Sequence, residues 1–182
     1  MPLPKERIYT LDDIYALPDG ERAELYDGQI YYMAPPSTKH QLILNYINNT
    51  IYNYIKCNKG SCDVFPAPFA VYLNPDDTKN YLEPDISIIC DKDKLDDHGC
   101  KGAPDWVVEV VSPSSKRFDY YNKLFKYRNA GVKEYWIVDP LDKTVTVHFF
   151  DNPDSPYKYT FSDKVNVNIY NDLYIDFSQL NN

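Results

Sequence analysis

The chain has 182 residues and a net charge of −8, with 27 acidic against 19 basic side chains. That length fits one domain, residues 1–182, able to bury most of its apolar surface in a single core, and no run approaches the length needed to span a membrane. The acidity argues against a protein that coats nucleic acid nonspecifically, since such binding rests on neutralising phosphates, but it leaves room for a local site.

Met1-Pro-Leu-Pro-Lys5 lacks the apolar core of a signal peptide, so a cytoplasmic protein is expected. Thr10 caps a short predicted helix through Leu11-Asp-Asp-Ile-Tyr-Ala16, with acids in its first turn, ending near Pro18. Asp27-Gly28 between Ala23–Tyr26 and Gln29–Met33 predicts a two-residue β-hairpin that pairs Leu25 with Ile30 and Glu24 with Tyr31. Glu24 then points away from the Leu25 face. After Pro35-Pro36-Ser37-Thr38, apolar residues at Leu42, Ile43, Tyr46, Ile47, Ile51, Tyr54 and Ile55 recur at helical spacing and predict a helix from Lys39 to Cys57, with His40 in its first turn. Beyond Gly60, β-type runs fall around Asp63–Pro66 and Phe69–Leu73, and the polar loop Asn74–Asn80 follows.

The next stretch carries the chemistry. Asp85 opens the run Asp85–Cys90 directly after Pro84, which confines it to a strand entrance. In Trp106–Val111 one acid, Glu109, lies among β-branched valines. Burying a lone carboxylate costs several kcal/mol unless a cation or hydrogen bonds offset it, so Glu109 calls for a partner. Alternation puts Val107, Glu109 and Val111 on one face and Trp106, Val108 and Val110 on the other. Between the two runs, Asp91–Lys101 reads as a charged surface connection with a helical turn. From Ser115 to Ala130 the pattern is helical, Gly131 suits the left-handed stop, and Asp119, Lys123 and Tyr127 form one polar stripe. Glu134–Asp139 is a further strand. Strand, helix and strand in this order form a crossover that sets the two strands parallel, so Glu109 and Lys123 can converge at one end of the sheet with Asp85.

Two carboxylates and an amine suit phosphodiester hydrolysis, with Mg²⁺ (or Mn²⁺) held by oxygen ligands and a lysine orienting the attacking water. Lys116, Arg117, Lys123, Lys126 and Arg128 add a basic cluster beside the acids. Past Pro140, Thr144–Phe150, Lys158–Phe161 and Val165–Tyr170 read as short strands at a sheet edge or a dimer surface. The four cysteines, Cys57, Cys62, Cys90 and Cys100, show no close C-x₂-C pair and read as reduced, mostly structural thiols. Tyrosine is abundant, at eighteen residues.

Pro84-Asp85, Ala103–Ser115 (APDWVVEVVSPSS), the D-x₃-K-x₃-Y of Asp119, Lys123 and Tyr127, and Gly131–Pro140 (GVKEYWIVDP), together with Glu24–His40 upstream, resemble the Uma-two family of restriction-endonuclease-like proteins in the PD-(D/E)XK nuclease superfamily. The resemblance covers roughly residues 10 to 150. It implies a restriction-endonuclease-like core, a mixed α+β sheet flanked by helices, with the N-terminal hairpin and C-terminal strands as additions. It further implies Asp85 and Glu109 as metal-binding acids. The usual E-x-K motif would put lysine where Val111 stands, and the resemblance suggests Lys123 as its relocated equivalent. Glu24, His40, Asp119 and Tyr127 are candidates to line the site.

Bland readings exist for each residue. Asp85 can be a turn acid, Glu109 one half of a buried pair with arginine, Asp119 and Lys123 an exposed i,i+4 pair, and Tyr127 a packing residue. The leading expectation is a Mg²⁺-dependent DNA endonuclease, catalytic through Asp85, Glu109 and Lys123, acting as a homodimer on two strands. The alternative is a nuclease-like fold without turnover that binds or assembles. A glycosidase using the same acids leaves Lys123 without a task.

Overall fold

Trp106–Val110 forms a strand buried on both faces, and the remaining elements are arranged to cover it. The computed structural model describes residues 7–181. Met1–Lys5, the stretch without a signal-peptide core, lie outside the described residues. In chain order the elements are α1 (Leu11–Tyr15), β1 (Ala23–Tyr26), β2 (Gln29–Tyr32), α2 (Thr38–Cys57), β3 (Asp63–Pro66), β4 (Val71–Tyr72), β5 (Ile86–Ile89), β6 (Leu95–Asp96), β7 (Gly99–Lys101) and β8 (Trp106–Val110). A π-helical turn (Phe118–Lys123) runs into α3 (Leu124–Ala130), and β9 (Glu134–Asp139), β10 (Thr144–Phe149), β11 (Tyr157–Thr160), β12 (Lys164–Asn166) and β13 (Tyr174–Asp176) complete the order. Among the described residues no helix is long and apolar enough to cross a membrane.

Six strands form the main sheet in the order β11-β10-β9-β8-β5-β3. Its pairs are antiparallel except β8 with β9, the pair joined by the crossover through the π turn and α3. The sheet is thus mixed, as expected, with β10 and β11 added at one edge. Trp106, Val108, Val110 and Trp136 face the α2 stripe of Ile43, Ile47, Ile51 and Ile55, together with Val165, Ile175 and Phe177 from the C-terminal segment. Val107, Val111, Tyr135 and Ile137 point the other way, onto Leu82, Tyr127 and Val132. Each fully buried aliphatic side chain contributes about 1.5–3 kcal/mol relative to exposure, so this alternation is what holds β8 in register.

The N-terminal hairpin forms as the Asp27-Gly28 signal predicts, with Leu25 opposite Ile30 and Glu24 opposite Tyr31. Asp27 and Gly28 both have positive φ, 48° and 79°, the requirement of a type I′ turn. A Cβ on Gly28 would also come within 2.6 Å of Ile8 Cγ2. Leu25 and Tyr81 exchange two backbone hydrogen bonds of 2.8 Å, which tie the hairpin to the segment entering β5.

Five expectations need correction. Asp91–Lys101 is more than a surface connection: after a 3₁₀ turn at Lys92–Lys94, β7 pairs with both β4 and β6 in a three-stranded sheet. Here Gly99, at φ 133°, passes so close to Ala70 that a Cβ would lie 2.3 Å from its carbonyl oxygen. The predicted Phe69–Leu73 run contracts to Val71–Tyr72, and Val165–Tyr170 is replaced by a hairpin of β12 with β13. Short strands carry little periodicity, and their partners are remote in sequence. The helix from Ser115 to Ala130 is a π turn followed by α3, stopped at Gly131 with φ 92°. Finally, Cys62 and Cys90 are joined in a disulfide, whereas Cys57 and Cys100 are free. Pairing of Asp63 with Ile89 sets Cys62 opposite Cys90 one rung beyond β3 and β5, a juxtaposition that sequence spacing cannot reveal.

Candidate functional site

Asp85 stands one residue before β5, and pairing of Ile86 with Val108 carries it opposite Glu109 on β8. The two acids are laced together through backbone groups. Asp85 N–H donates to Glu109 Oε2 at 3.3 Å, and Asp85 Oδ2 accepts from Val110 N–H at 2.8 Å. Across the site the first turn of α2 brings His40 Nε2 to 3.0 Å from Asp85 Oδ2. Ser37 caps that turn by accepting the His40 N–H, so the histidine backbone is fixed.

Lys123 closes the other side. Its Nζ lies 2.9 Å from Glu109 Oε1, 2.9 Å from Glu24 Oε2 and 3.6 Å from Asp119 Oδ1, and its side chain is only 5% exposed. Tyr127 donates its hydroxyl to Glu109 Oε1 at 3.0 Å, while Glu24 Oε1 accepts the Glu83 N–H at 2.9 Å. Asp119, Lys123 and Tyr127 share one buried face because of the π turn. A four-residue step overshoots one turn of an α-helix of about 3.6 residues, yet falls short in the wider π turn, and the two deviations offset. Tyr135 OH donates to the Asp119 carbonyl at 3.0 Å, occupying a backbone acceptor within the turn.

All seven sequence candidates, Asp85, Glu109, Lys123, Glu24, His40, Asp119 and Tyr127, are thereby linked in one network. Among the described residues the partner that Glu109 required is a lysine and a tyrosine rather than an arginine. Asp119 and Lys123 are buried, so the exposed-pair reading does not hold. Sequence reasoning missed Glu83, whose N–H fixes Glu24 and whose carboxylate takes Arg22 and the Tyr81 hydroxyl. It sits two residues before Asp85, but nothing in the pattern distinguished it. The expected basic cluster is dispersed: Lys116 pairs with Asp139 and Asp142, Lys126 with Asp27, and Lys123 is internal, which leaves Arg117 and Arg128 at the surface.

Acid outnumbers base in this network, and its titration follows. Burial pushes the Glu109 carboxyl well up, and repulsion from Asp119, Asp85 and Glu24 adds to burial against the pull of Lys123. Burial likewise pushes Asp119 up to about 6, against Lys123 and with Glu24 and Asp85. Burial opposes the charge on Lys123, but Glu109, Glu24 and Asp119 together outweigh it and hold the ammonium protonated well above its ordinary range. At His40 burial is again overcome, here by the hydrogen bond to Asp85, and the imidazole is raised.

Among the described residues no group of three or more His, Cys, Asp and Glu side chains is placed to hold a metal ion. Mg²⁺ does not need one: it is commonly bound by one or two carboxylates, retained waters and substrate phosphate. Asp85 and Glu109 supply hard oxygen donors beside an excess of buried acid, and a divalent cation would offset that excess. The residues present fit such an ion.

A mixed sheet with two acids meeting across β5 and β8, flanked by α2 and the crossover helix, defines a restriction-endonuclease-like fold. A solved structure from Anabaena variabilis ATCC 29413, described as a putative nuclease belonging to DUF820, superimposes with a TM-score of 0.75 at 21% identity, covering 94% of this chain and 96% of that one. The uncharacterized protein slr1290 of Synechocystis sp. is 28% identical over 129 residues, which span 70% of this chain and 66% of that protein, just under two thirds of its length. Residues 11–173 match the Uma2 family, described as "Putative restriction endonuclease", and the chain belongs to that family. The match reaches farther toward the C-terminus than the motifs read in the sequence.

Proposed function

We propose that the protein is a Mg²⁺- or Mn²⁺-dependent endonuclease that hydrolyses DNA phosphodiester bonds in the cytoplasm, through the chain's one restriction-endonuclease-like domain. The observation that supports this most is the meeting of Asp85, Glu109 and Lys123 in one hydrogen-bonded network. Asp85 and Glu109 would hold the cation, which when bound supplies Lewis-acid polarisation of the phosphate and ionises a water at neutral pH. His40 and the Val110 N–H fix the Asp85 carboxylate, and Tyr127 fixes one oxygen of Glu109. Because its three acidic neighbours keep Lys123 protonated, it serves as a donor that orients the attacking water and offsets charge growing on the phosphate, rather than as a base. Glu24 and Asp119 hold that ammonium in place. A homodimer belongs to this reading, since two sites can then act on two strands.

The second reading, a nuclease-like fold that binds or assembles without turnover, draws on the saturation of Lys123 by Glu24 and Glu109 in a buried network. Supercoiled plasmid incubated with the protein and Mg²⁺ or Mn²⁺ separates the two. Nicking by the wild type is expected, with Asp85→Ala and Glu109→Ala each slowing it at least about 100-fold. Cleavage unchanged in both variants rejects these roles, and no cleavage by the wild type favours the second reading.

A further inference from the structure

Beside the acid network the surface turns aromatic. Cross-strand partners share a face, so the pairing of Glu24 with Tyr31 stands Tyr31 next to an acid that grips Lys123. Phe118 lies in the same π turn as Lys123, and its ring centroid is 5.9 Å from the ammonium. The Tyr31 and Phe118 rings meet at 4.5 Å between centroids, and Tyr26 abuts Phe118 edge-on at 5.0 Å. The Tyr26 hydroxyl donates to the Asn122 carbonyl at 3.1 Å, which fastens hairpin to helix beneath the cluster. Tyr31 is 41% exposed, and Tyr121 and Phe125, farther along the same helix, are 71% and 66% exposed. Aromatic surface left in water and contiguous with a site marks a binding face.

The charge around this face narrows what binds there. The chain carries −8, and Lys116 and Lys126, which flank the platform on the helix, are already paired with Asp139, Asp142 and Asp27. Of the cluster only Arg117 and Arg128 stay at the surface, too few to neutralise a run of phosphates, so affinity for nucleic acid has to draw on the bases. Bases inside a duplex are stacked on one another, whereas those of an unpaired strand offer free π-faces to aromatic side chains.

We propose that Tyr31 and Phe118 form a stacking platform for bases of an unpaired DNA strand, free or at a fork or flap, and deliver the adjoining phosphate to the Asp85–Glu109–Lys123 network. This rests on the nuclease reading and narrows its substrate from DNA in general to DNA with unstacked bases. Stacking on such rings is sequence-tolerant, so little preference among bases follows, beyond stacking strength.

Fluorescence anisotropy with a labelled oligothymidylate and a duplex of equal length, both in EDTA so that nothing is cut, tests it. The single strand is expected to bind at least about tenfold more tightly than the duplex, and its affinity to fall far less than the roughly 10³–10⁵-fold seen for cation-driven binders between about 50 and 200 mM salt. Tyr31→Leu and Phe118→Leu keep apolar bulk but remove the ring, and each is expected to weaken single-strand binding by roughly 5- to 100-fold, with Phe118→Tyr retaining it. Equal binding of duplex and single strand, or leucine variants that bind like the wild type while keeping the wild-type melting temperature, overturns the platform. So does a change of sedimenting mass in the leucine variants without loss of single-strand binding, which would make the face a contact between copies. Because no cleavage is read, these outcomes are separate from the plasmid assay: a protein that binds single strands but never nicks keeps the platform and loses the nuclease.

Discussion

Along β8, Trp106, Val108 and Val110 enter a layer closed by α2, while one residue out of step Glu109 enters a layer closed by the π turn, α3 and the hairpin. The first layer is mostly apolar, with the buried Glu134 carboxylate held by the Trp136 indole and by the Asn168 and Ile169 N–H groups, and its stability is chiefly a matter of volume and contact. The second holds Glu24, Glu109, Asp119 and Lys123 away from water, at a cost that apolar packing elsewhere must offset. The period of two along a strand thus separates the part of the core that stabilises the fold from the part that carries charge for chemistry. A perturbation should read differently on each side.

The largest difference is expected from Lys123→Met. It leaves buried acids without their ammonium, and removing one partner of a buried pair costs about 3–5 kcal/mol. Denaturant unfolding measures this, and an unchanged midpoint would show that the acids are not held as charges. On the apolar face Ile47→Ala is expected to cost about 2–5 kcal/mol, as a truncated core aliphatic does, while metal-dependent nicking of plasmid below the melting temperature is retained.

A sharper contrast comes from removing an acid. Burial pushes Asp119 in the folded chain up to about 6, above its ordinary 3.8, so between those values the folded state binds more protons than the unfolded state. Stability from this group is therefore full below the lower value, falls as pH rises through the window, and stays reduced at neutral pH. Asp119→Asn is expected to raise stability at pH 7 by on the order of 1–3 kcal/mol, with the gain vanishing below about pH 4. A loss at pH 7 in denaturant melts would contradict the excess of acid.

The smallest effect concerns two histidines. Burial, with Arg128 adding to it, pushes His148 down to about 4. His40 is raised because Asp85 outweighs its burial. Ring-proton NMR against pH should show the two moving in opposite directions from 6.5. For His148 the unfolded chain binds the extra proton between about 4 and 6.5, so its contribution to stability is present above that window and is lost as pH falls through it. Coincident titration near 6.5 would dissolve the distinction.

Local signals were legible in the sequence. Asp27-Gly28 dictated the hairpin, Gly131 the helix stop, and the lone acid among valines pointed to a buried partner, because each is decided by neighbours a few residues away. The order of strand, helix and strand yielded the parallel β8–β9 pair through the handedness and reach of crossovers. What stayed hidden depends on remote chain. The Cys62–Cys90 bond follows from register between β3 and β5, and the small β4-β7-β6 sheet follows from a close approach at Gly99. The basic cluster looked continuous because Asp27, Asp139 and Asp142, which neutralise it, lie on other elements. At the site, residue identities were readable but the π turn that aligns Asp119, Lys123 and Tyr127 was not, since its register differs from an α-helix by a fraction of a turn.

The most direct test of a cation-binding acid network is calorimetric titration of Mn²⁺ into the wild type, Asp85→Asn and Glu109→Gln. Binding tighter than about millimolar in the wild type and its loss in both variants, each still folded, is the expected result. Absence of binding in the wild type, or binding that survives both substitutions, would contradict it.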